Sequence, residues 1–461
     1  MLQKLKKLLY NSNPLILGFG REGISTYITI RQLYPNLLIT IADKNKNIIK
    51  TIENFKDNKL AIICGENYLN SIGDYYPVFR SPGISLKYIQ KEYSEKITSQ
   101  TDFFLGNYSS QVTGITGTKG KSTTASLISF IYKLYNNDTL LAGNIGIPFF
   151  DIIDKICDKT DIVCELSSHQ LQDIHTAPHI SVILNIYQEH LDYYNTYEDY
   201  QIAKLNIIEK QNYGDYCIYN ADNNIISEWI SNHKIKSEKY AFSLKQQVAR
   251  GCYYDDNKII FRDNDVEHLI FSDNAGARQL KGEHNLYNIM ASVIACKIKG
   301  IDNKTITDGI RTMPTLKHRM EYLGQIKGIH FYNDSISTIP EATIAAIKAI
   351  PDVDCLILGG YDRGIDYSGL VSYLLSSGIR ILIFLDRAGI RIMNEMNELK
   401  ETNVLNKKLY LVHNLEDAVK IAKKETLAGK ACLLSPAAAS YGMFKNFEER
   451  GEEFRKLVLN C

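Results

Sequence analysis

No stretch of the sequence stays apolar for long enough to cross a bilayer, so a membrane-spanning helix is not expected. An excess of one charge is missing too. Fifty-three Lys and Arg face 52 Asp and Glu, for a net charge of +1. That excludes the basic surplus of a surface that coats nucleic acid. It does not exclude anionic small molecules, which local loops can bind without a global field. The nine cysteines, at 64, 157, 164, 217, 252, 296, 355, 432 and 461, never fall in C-x-x-C spacing. They read as reduced, buried thiols of a cytoplasmic protein, neither a disulfide framework nor a zinc site. The start, Met1-Leu-Gln-Lys-Leu-Lys-Lys, is basic and amphipathic, and it has neither the apolar core nor the small-residue cleavage site of a signal peptide. Internal repeats and low-complexity linkers are absent as well.

What is there is an ordinary globular balance, 45% apolar and 23% charged. The length allows two to four domains at about 100–200 residues each. Pro14-Leu-Ile-Leu17 is a short apolar run ending at Gly18-Phe19-Gly20-Arg-Glu-Gly23. A helical pattern follows to about Tyr34, and Leu37 to Ala42 reads as a second strand ending at Asp43. Strand, glycine turn, helix, strand and then an acid match the dinucleotide fingerprint, in which backbone N–H groups at a helix N-terminus meet phosphate and the acid meets a ribose or base. Taken alone, the match also fits a plain tight turn. Further on, Pro77-Val-Phe-Arg runs into Ser81-Pro82-Gly83, a turn of the kind found at the carboxyl edge of a doubly wound sheet.

A stronger phosphate signal lies at Gly114-Ile-Thr-Gly117-Thr118-Lys119-Gly120-Lys121-Ser122-Thr123, between a strand-like approach and an apolar helix from Ala125 to Tyr135. The strict Walker pattern has a glycine where this chain has Ile115. The glycines at 114, 117 and 120 still let the backbone wrap phosphates, with Lys121 on the β/γ-phosphates and Ser122 on Mg²⁺. A turn containing Gly143-Asn144 and Gly146 follows. The strand Asp161 to Glu165 then delivers a carboxylate at its end, where a Mg²⁺ ligand belongs, ahead of Leu166-Ser167-Ser168. The strand from Ile180 ends near Glu189-His190-Leu-Asp192. Parallel winding gathers such strand ends on one edge, which makes three polar tips in succession more than coincidence. Lys204, on a helix from about Tyr197, reads on its own as a solvated helix face.

In order, the glycine–lysine loop, Glu165-Leu-Ser-Ser, His190-Leu-Asp192, Ala203-Lys204, Gly282-Glu-His284-Asn285 with Asn288, and His318-Arg319-Met-Glu321 resemble the Mur ligase family. So do Asn333-Asp334-Ser335, Gly359-Gly360-Tyr-Asp362-Arg363-Gly364 and Leu434-Ser435-Pro436 through Ser440. Ser81-Pro82-Gly83, the Glu-Leu-Ser-Ser-x-Gln-Leu run and Ser440-Tyr-Gly-Met-Phe444 through Phe447 and Arg450 resemble its D-glutamate-adding branch.

The resemblance implies an α/β chain of three domains: an N-terminal Rossmann-like domain (1–107), a central P-loop ATPase-type domain (108–314) and a C-terminal Rossmann-like domain (315–461). It implies an ATP-dependent amide ligase of peptidoglycan precursor synthesis, cytoplasmic, monomeric, and without nucleic-acid or membrane partners. Its substrates would be UDP-N-acetylmuramoyl-L-alanine, D-glutamate and ATP, and an acyl phosphate would be its intermediate. Carried over by position, the uridine substrate would be met by Gly18, Phe19, Asp43, Ser81, Pro82, Gly83, Asn144 and Ser167. ATP would be met by Gly117 through Thr123, with Asn285 on adenine, Arg319 on phosphates and Asp334 on ribose. D-glutamate would be met by Thr338, Arg363, Ser440 and Phe447. One Mg²⁺ would sit on Ser122 and Glu165, and a second on His190 and a Lys204 carbamylated by CO₂. Lys121, Glu165, His190 and Lys204 would be the catalytic set.

The chain departs from the family pattern at Ile336, where many members carry a lysine, at Arg363, again in place of lysine, and at Gln188-Glu189. Arginine can hold a carboxylate bidentately. The alternatives are a sister ligase with another acceptor amino acid, a nicotinamide oxidoreductase built on Gly18–Gly23 and Asp43, and an ATP-hydrolysing switch protein.

Overall fold

Short β-branched runs flanked by glycine turns become strands, and the apolar-periodic stretches between them become helices. The computed structural model describes residues 1–53, 55–70, 72–144, 147–190, 193–274, 277–314, 317–398 and 407–460. Gly146, Asp192 and Cys461, singled out in the sequence, lie outside the described residues, as do Thr315 and Leu316 beside the expected second domain boundary. The chain divides into two compact units. Met1–Arg278 with Glu283–Met313 form the first, and Gln279–Gly282 with Pro314–Cys461 form the second.

The first unit holds two sheets. One is built from β1 (Leu15–Leu17), β2 (Ile39–Asp43), β3 (Leu60–Cys64), β4 (Val78–Arg80) and β5 (Ile97–Thr98). They lie in the order β3-β2-β1-β4-β5, all parallel. The buried strands β1 and β4 flank the glycine turn, and their carboxyl ends deliver Gly18 and Ser81 to one edge. Gly23 is required there, because a Cβ would come within 2.2 Å of the Gly18 carbonyl oxygen.

The other sheet has nine strands: β6 (Val112–Thr116), β7 (Thr139–Gly143), β8 (Asp161–Glu165), β9 (Ile180–Ile183), β10 (Tyr216–Asn220), β11 (Glu238–Ser243), β12 (Gly251–Asp255), β13 (Lys258–Asp263) and β14 (Val266–Ser272). The order is β14-β13-β12-β11-β10-β9-β6-β8-β7. Pairing from β7 through β12 is parallel, and β12-β13-β14 form an antiparallel meander at one edge. Helices Lys121–Tyr135 and Glu283–Ile298 pack against the sheet. The second of these is buried on nearly every side, as its Met290–Cys296 run implies.

The second unit carries β15 (Glu321–Ile326), β16 (Ile329–Asn333), β17 (Val353–Gly359), β18 (Ile381–Leu385), β19 (Lys408–Val412) and β20 (Ala431–Leu434), in the order β15-β16-β20-β17-β18-β19. Only β15 runs antiparallel to its neighbour. The fully apolar runs of β17, β18 and β20 are buried on both faces, the mark of a parallel sheet covered by helices. Each expected Rossmann-like or P-loop segment is thus an α/β layer. Among the described residues, no helix is long and apolar enough to cross a membrane.

Candidate functional site

Strand β6 ends at Thr116 and the loop reverses through Gly117 and Gly120, both with positive φ, into the helix Lys121–Tyr135. The helix starts earlier than the apolar pattern implies, so Lys121, Ser122 and Thr123 occupy its first turn. Gly120 has no substitute, since a Cβ there would lie 2.3 Å from Asn288 Oδ1. The loop is braced from β9. The Thr118 N–H donates to the Asn185 carbonyl (2.8 Å), the Lys119 N–H donates to Asn185 Oδ1 (2.8 Å), and Thr118 Oγ1 meets the Tyr200 hydroxyl (2.8 Å). Lys121 folds back over the loop, with Nζ donating to the Gly117 and Thr118 carbonyls at 2.8 and 3.0 Å. A nest of backbone N–H groups with a lysine above it is an anion site.

Glu165, at the end of β8, is 1% exposed. Its two oxygens are each engaged: Ser122 Oγ donates to Oε2 and Asn144 Nδ2 to Oε1, both at 2.7 Å. A hydroxyl and a carboxylate gathered beside a phosphate loop are hard oxygen donors suited to Mg²⁺, which keeps several waters and takes the rest of its shell from phosphates. Among the described residues, no three His, Cys, Asp or Glu side chains cluster into a ready-made metal cage. A cation here would therefore depend on that mixed donor set and on bound phosphate.

Lys204 is not a solvated helix residue. It is 2% exposed, its Nζ donates to the Gly117 carbonyl at 3.0 Å, and it lies 5.0 Å from the Tyr200 ring centroid. Burial, with the Lys121 charge nearby, holds its amine well below the usual lysine range. The same Gly117 carbonyl thus accepts from both Lys121 and Lys204. His190 has φ of 60° and stacks edge-on to His169 at 4.8 Å and near Tyr200 at 6.0 Å. Ser167 caps the short helix Ser168–Leu171 in a capping box with Gln170. Asn285 is buried and accepts from Asn288 Nδ2 at 2.8 Å, which puts it beside the glycine loop.

A second cavity, about 380 Å³, opens at the carboxyl edge of the five-stranded sheet. Gly18, Asp43, Ser81, Pro82, Gly83, Glu22 and Asn144 are among its walls. Of the residues expected there, Phe19 does not present its ring, which is buried against Tyr27 and Phe55. The Asp43 carboxylate is engaged by the Phe19 and Asn45 amides at 2.7 and 2.8 Å, so it also holds the turn closed. Below the cavity, Arg80 is completely buried. It donates to both oxygens of Asp173, to the Ile84 and His169 carbonyls and to the Tyr193 hydroxyl.

In the second unit, β16, β17 and β20 end together. Asp334 follows β16, is 2% exposed, and accepts from Met320 N (3.1 Å) and Ser435 Oγ (2.8 Å). Burial pushes its carboxyl up to about 6. Arg363, beyond β17, donates to the Thr338 carbonyl at 2.8 Å, which joins two of the expected amino-acid contacts. Ser440 is buried and Phe447 half-buried, Phe447 accepting from Ser335 Oγ through its carbonyl. Sequence reasoning gave no role to Arg450, a buried guanidinium that donates to Ser335 Oγ, Ser335 O and Ala438 O. Burial lowers it to about 9. No local signal marked it, because it is one of several charged residues of the helix Phe447–Leu459, beside Glu448, Glu449, Glu452, Glu453, Arg455 and Lys456.

Residues 115–296 match a family model described as the Mur ligase middle domain. Over 466 residues the chain is 33% identical to the UDP-N-acetylmuramoylalanine--D-glutamate ligase of Acetivibrio thermocellus, covering 99% of this chain and 98% of the relative. It is 32% identical to the ligase of the same name from Clostridioides difficile, covering 98% and 99%. Among solved structures it resembles the MurF ligase from Thermotoga maritima in complex with ADP (17% identical, TM-score 0.56, covering 99% and 97%). It also resembles MurF from Acinetobacter baumannii (13% identical, TM-score 0.62, covering 99% and 98%). At these identities the structural likeness speaks for the fold.

Proposed function

The chain belongs to the Mur ligase family, and we propose that within it this protein joins D-glutamate to UDP-N-acetylmuramoyl-L-alanine with cleavage of ATP to ADP and phosphate. The observation that carries the reading is the position of Asn144. It walls the glycine-turn cavity and also donates to Glu165, which holds Ser122 of the phosphate loop. One side chain therefore links two anion-competent sites, as an enzyme needs when one nucleotide-borne carboxylate must meet the γ-phosphate of another nucleotide. An oxidoreductase would leave the Lys121 loop without a task.

In this reading the alanyl carboxylate attacks the γ-phosphorus, ADP leaves, and the D-glutamate amine then displaces phosphate from the acyl carbon. Such a transfer needs positioning and charge neutralisation more than covalent protein chemistry. The glycine loop and Lys121 would hold the β- and γ-phosphates, with Asn285, Arg319 and Asp334 completing the ATP contacts. Gly18, Asp43, Ser81 through Gly83, Asn144 and Ser167 would hold the uridine substrate. Thr338, Arg363, Ser440 and Phe447 would hold D-glutamate, with the arginine in place of one family lysine and Ile336 leaving a cationic gap where another stands in many members. Ser122 and Glu165 would hold one Mg²⁺, and His190 with a carbamylated Lys204 the other; when bound, these ions supply neutralisation of the phosphate charge. The bounds 1–107, 108–314 and 315–461, monomeric action and cytoplasmic residence belong to the same proposal. One sheet per segment supports the bounds.

The deciding experiment is an acceptor screen with UDP-N-acetylmuramoyl-L-alanine, ATP and, in turn, D-Glu, L-Glu, L-Ala, L-Lys and meso-diaminopimelate. Phosphate release and product mass should appear with D-Glu alone. Release with a different acceptor would make the chain a sister ligase, and release with none would make it a switch ATPase. If Arg363 reads the glutamate carboxylate, Arg363→Ala should raise the D-glutamate KM by about 10- to 100-fold, the worth of a charge-assisted pair. The ATP KM should move by no more than about twofold. Equal shifts in both would assign Arg363 to holding the Thr338 loop.

A further inference from the structure

Glu22 is the second residue of the helix Arg21–Leu33, whose N-terminus borders the glycine-turn cavity, and it is one of the cavity's walls. Its Oε1 accepts a hydrogen bond from Gln170 Nε2 at 2.8 Å. Its Oε2 is buried and has no hydrogen-bond partner among the described residues. A buried carboxylate oxygen left unsatisfied is costly, and native structures retain one only for a reason. The charged groups around it do not supply a partner. Arg80, on β4, is committed to Asp173 through two hydrogen bonds at 3.0 and 2.9 Å. Asp173 adds a like charge, Arg21 on the same helix is exposed, and Asp43 is another acid on the cavity wall. A pocket read as binding a diphosphate therefore contains an acid with no cation of its own.

We propose that Glu22 is a proton-coupled positioning residue, which in its neutral form donates from Oε2 to the diphosphate of the uridine substrate and in its ionised form weakens that substrate's binding. This rests on the assignment of the cavity to the uridine substrate. The Gln170 contact favours the arrangement: an amide N–H on Oε1 leaves Oε2 as the oxygen that carries the proton. The carboxyl sits at about 7, because burial outweighs the Gln170 hydrogen bond and the Arg80 charge. The sign follows directly. As pH rises through 7 the neutral, donating form is lost, falling about tenfold for each further pH unit. Apparent affinity falls with the competent fraction. Ligand binding above that pH must then draw a proton from solution.

The test is calorimetric titration of the full chain with UDP-N-acetylmuramoyl-L-alanine between pH 6 and 8.5, in buffers of different ionisation enthalpy. The diphosphate diester of this ligand does not itself titrate in that range. For the unaltered protein, Kd should rise roughly tenfold from pH 7.5 to 8.5, with net proton uptake near pH 8. Glu22→Gln keeps a donor but cannot ionise, so its Kd should be flat across the range and its uptake absent. Parallel profiles for the two proteins, or no proton uptake by the unaltered one, would overturn the role of Glu22 and leave the cavity assignment standing. Absence of binding at every pH by folded protein would overturn the cavity assignment itself. Should Glu22→Gln fail to fold, proton uptake by the unaltered chain decides alone.

Discussion

Replacing Lys121 with alanine is expected to reduce D-glutamate-dependent phosphate release by at least about 10³-fold, the scale on which removing a positioned charge from a phosphoryl-transfer site is felt. The lysines neighbouring Lys121 among the described residues are engaged elsewhere, Lys119 with Glu189 at 2.5 Å. Lys121 Nζ already lies over the loop, 2.8 and 3.0 Å from the carbonyls of Gly117 and Thr118. The nearby cation, Lys204, is buried and shares the Gly117 carbonyl. Glu165→Ala should match the loss, since it frees both Ser122 and Asn144 and removes the carboxylate that holds Ser122. The check is coupled ADP release with circular dichroism to verify folding. A folded Lys121→Ala protein turning over at near-normal rate would refute the phosphate site.

Lys204→Ala is expected to be essentially inactive, and added formate or acetate should recover part of the rate. The side chain is buried, and its amine is held well below the usual lysine range by that burial and by the Lys121 charge. A depressed lysine is more often neutral near pH 7, and only the neutral amine adds CO₂. The ammonium first gives up one proton; the neutral nitrogen then bonds the carbon and a second proton leaves, so the cation ends as an anion. The product would turn a charge costly to bury beside Lys121 into one that Lys121 attracts. Stripping CO₂ from the buffer should therefore slow the unaltered enzyme, bicarbonate should restore it, and ¹³C-labelled bicarbonate should give a carbamate resonance lost in Lys204→Ala. If neither carboxylates nor bicarbonate change any rate, Lys204 acts as a plain amine that ties the helix to the Gly117 carbonyl.

The comparison between sequence and structure turns on distance along the chain. The glycine turns at Gly18 and Gly117, and the strand end at Glu165, were legible because a strand, a reversal and a helix leave their signature within a few consecutive residues. Lys204 was misread as solvated on local grounds, because only the fold of β9 and its following helix brings it under Gly117. Glu22 and Gln170, 148 residues apart, and Arg80 and Asp173, 93 apart, have no local pattern linking them. Nor does a local pattern announce that β12, β13 and β14 extend the central sheet as an antiparallel edge. Phe19 and Asp43 lay where the fingerprint put them, yet the ring went to the core and the carboxylate to the turn's own amides. A motif fixes backbone placement more firmly than side-chain duty.

Arg80 has a bearing on inheritance. Its guanidinium is rooted in the five-stranded sheet, but every polar partner except Ile84 comes from residues 169–193. Ser25 with Asp151 and Glu22 with Gln170 stitch the same seam. The five-stranded sheet therefore does not stand alone when cut near residue 107, because those partners of Arg80 lie beyond the cut. A chimera would strand a buried guanidinium unless the acceptor supplied an acid at position 173, so the two sheets are exchangeable only together.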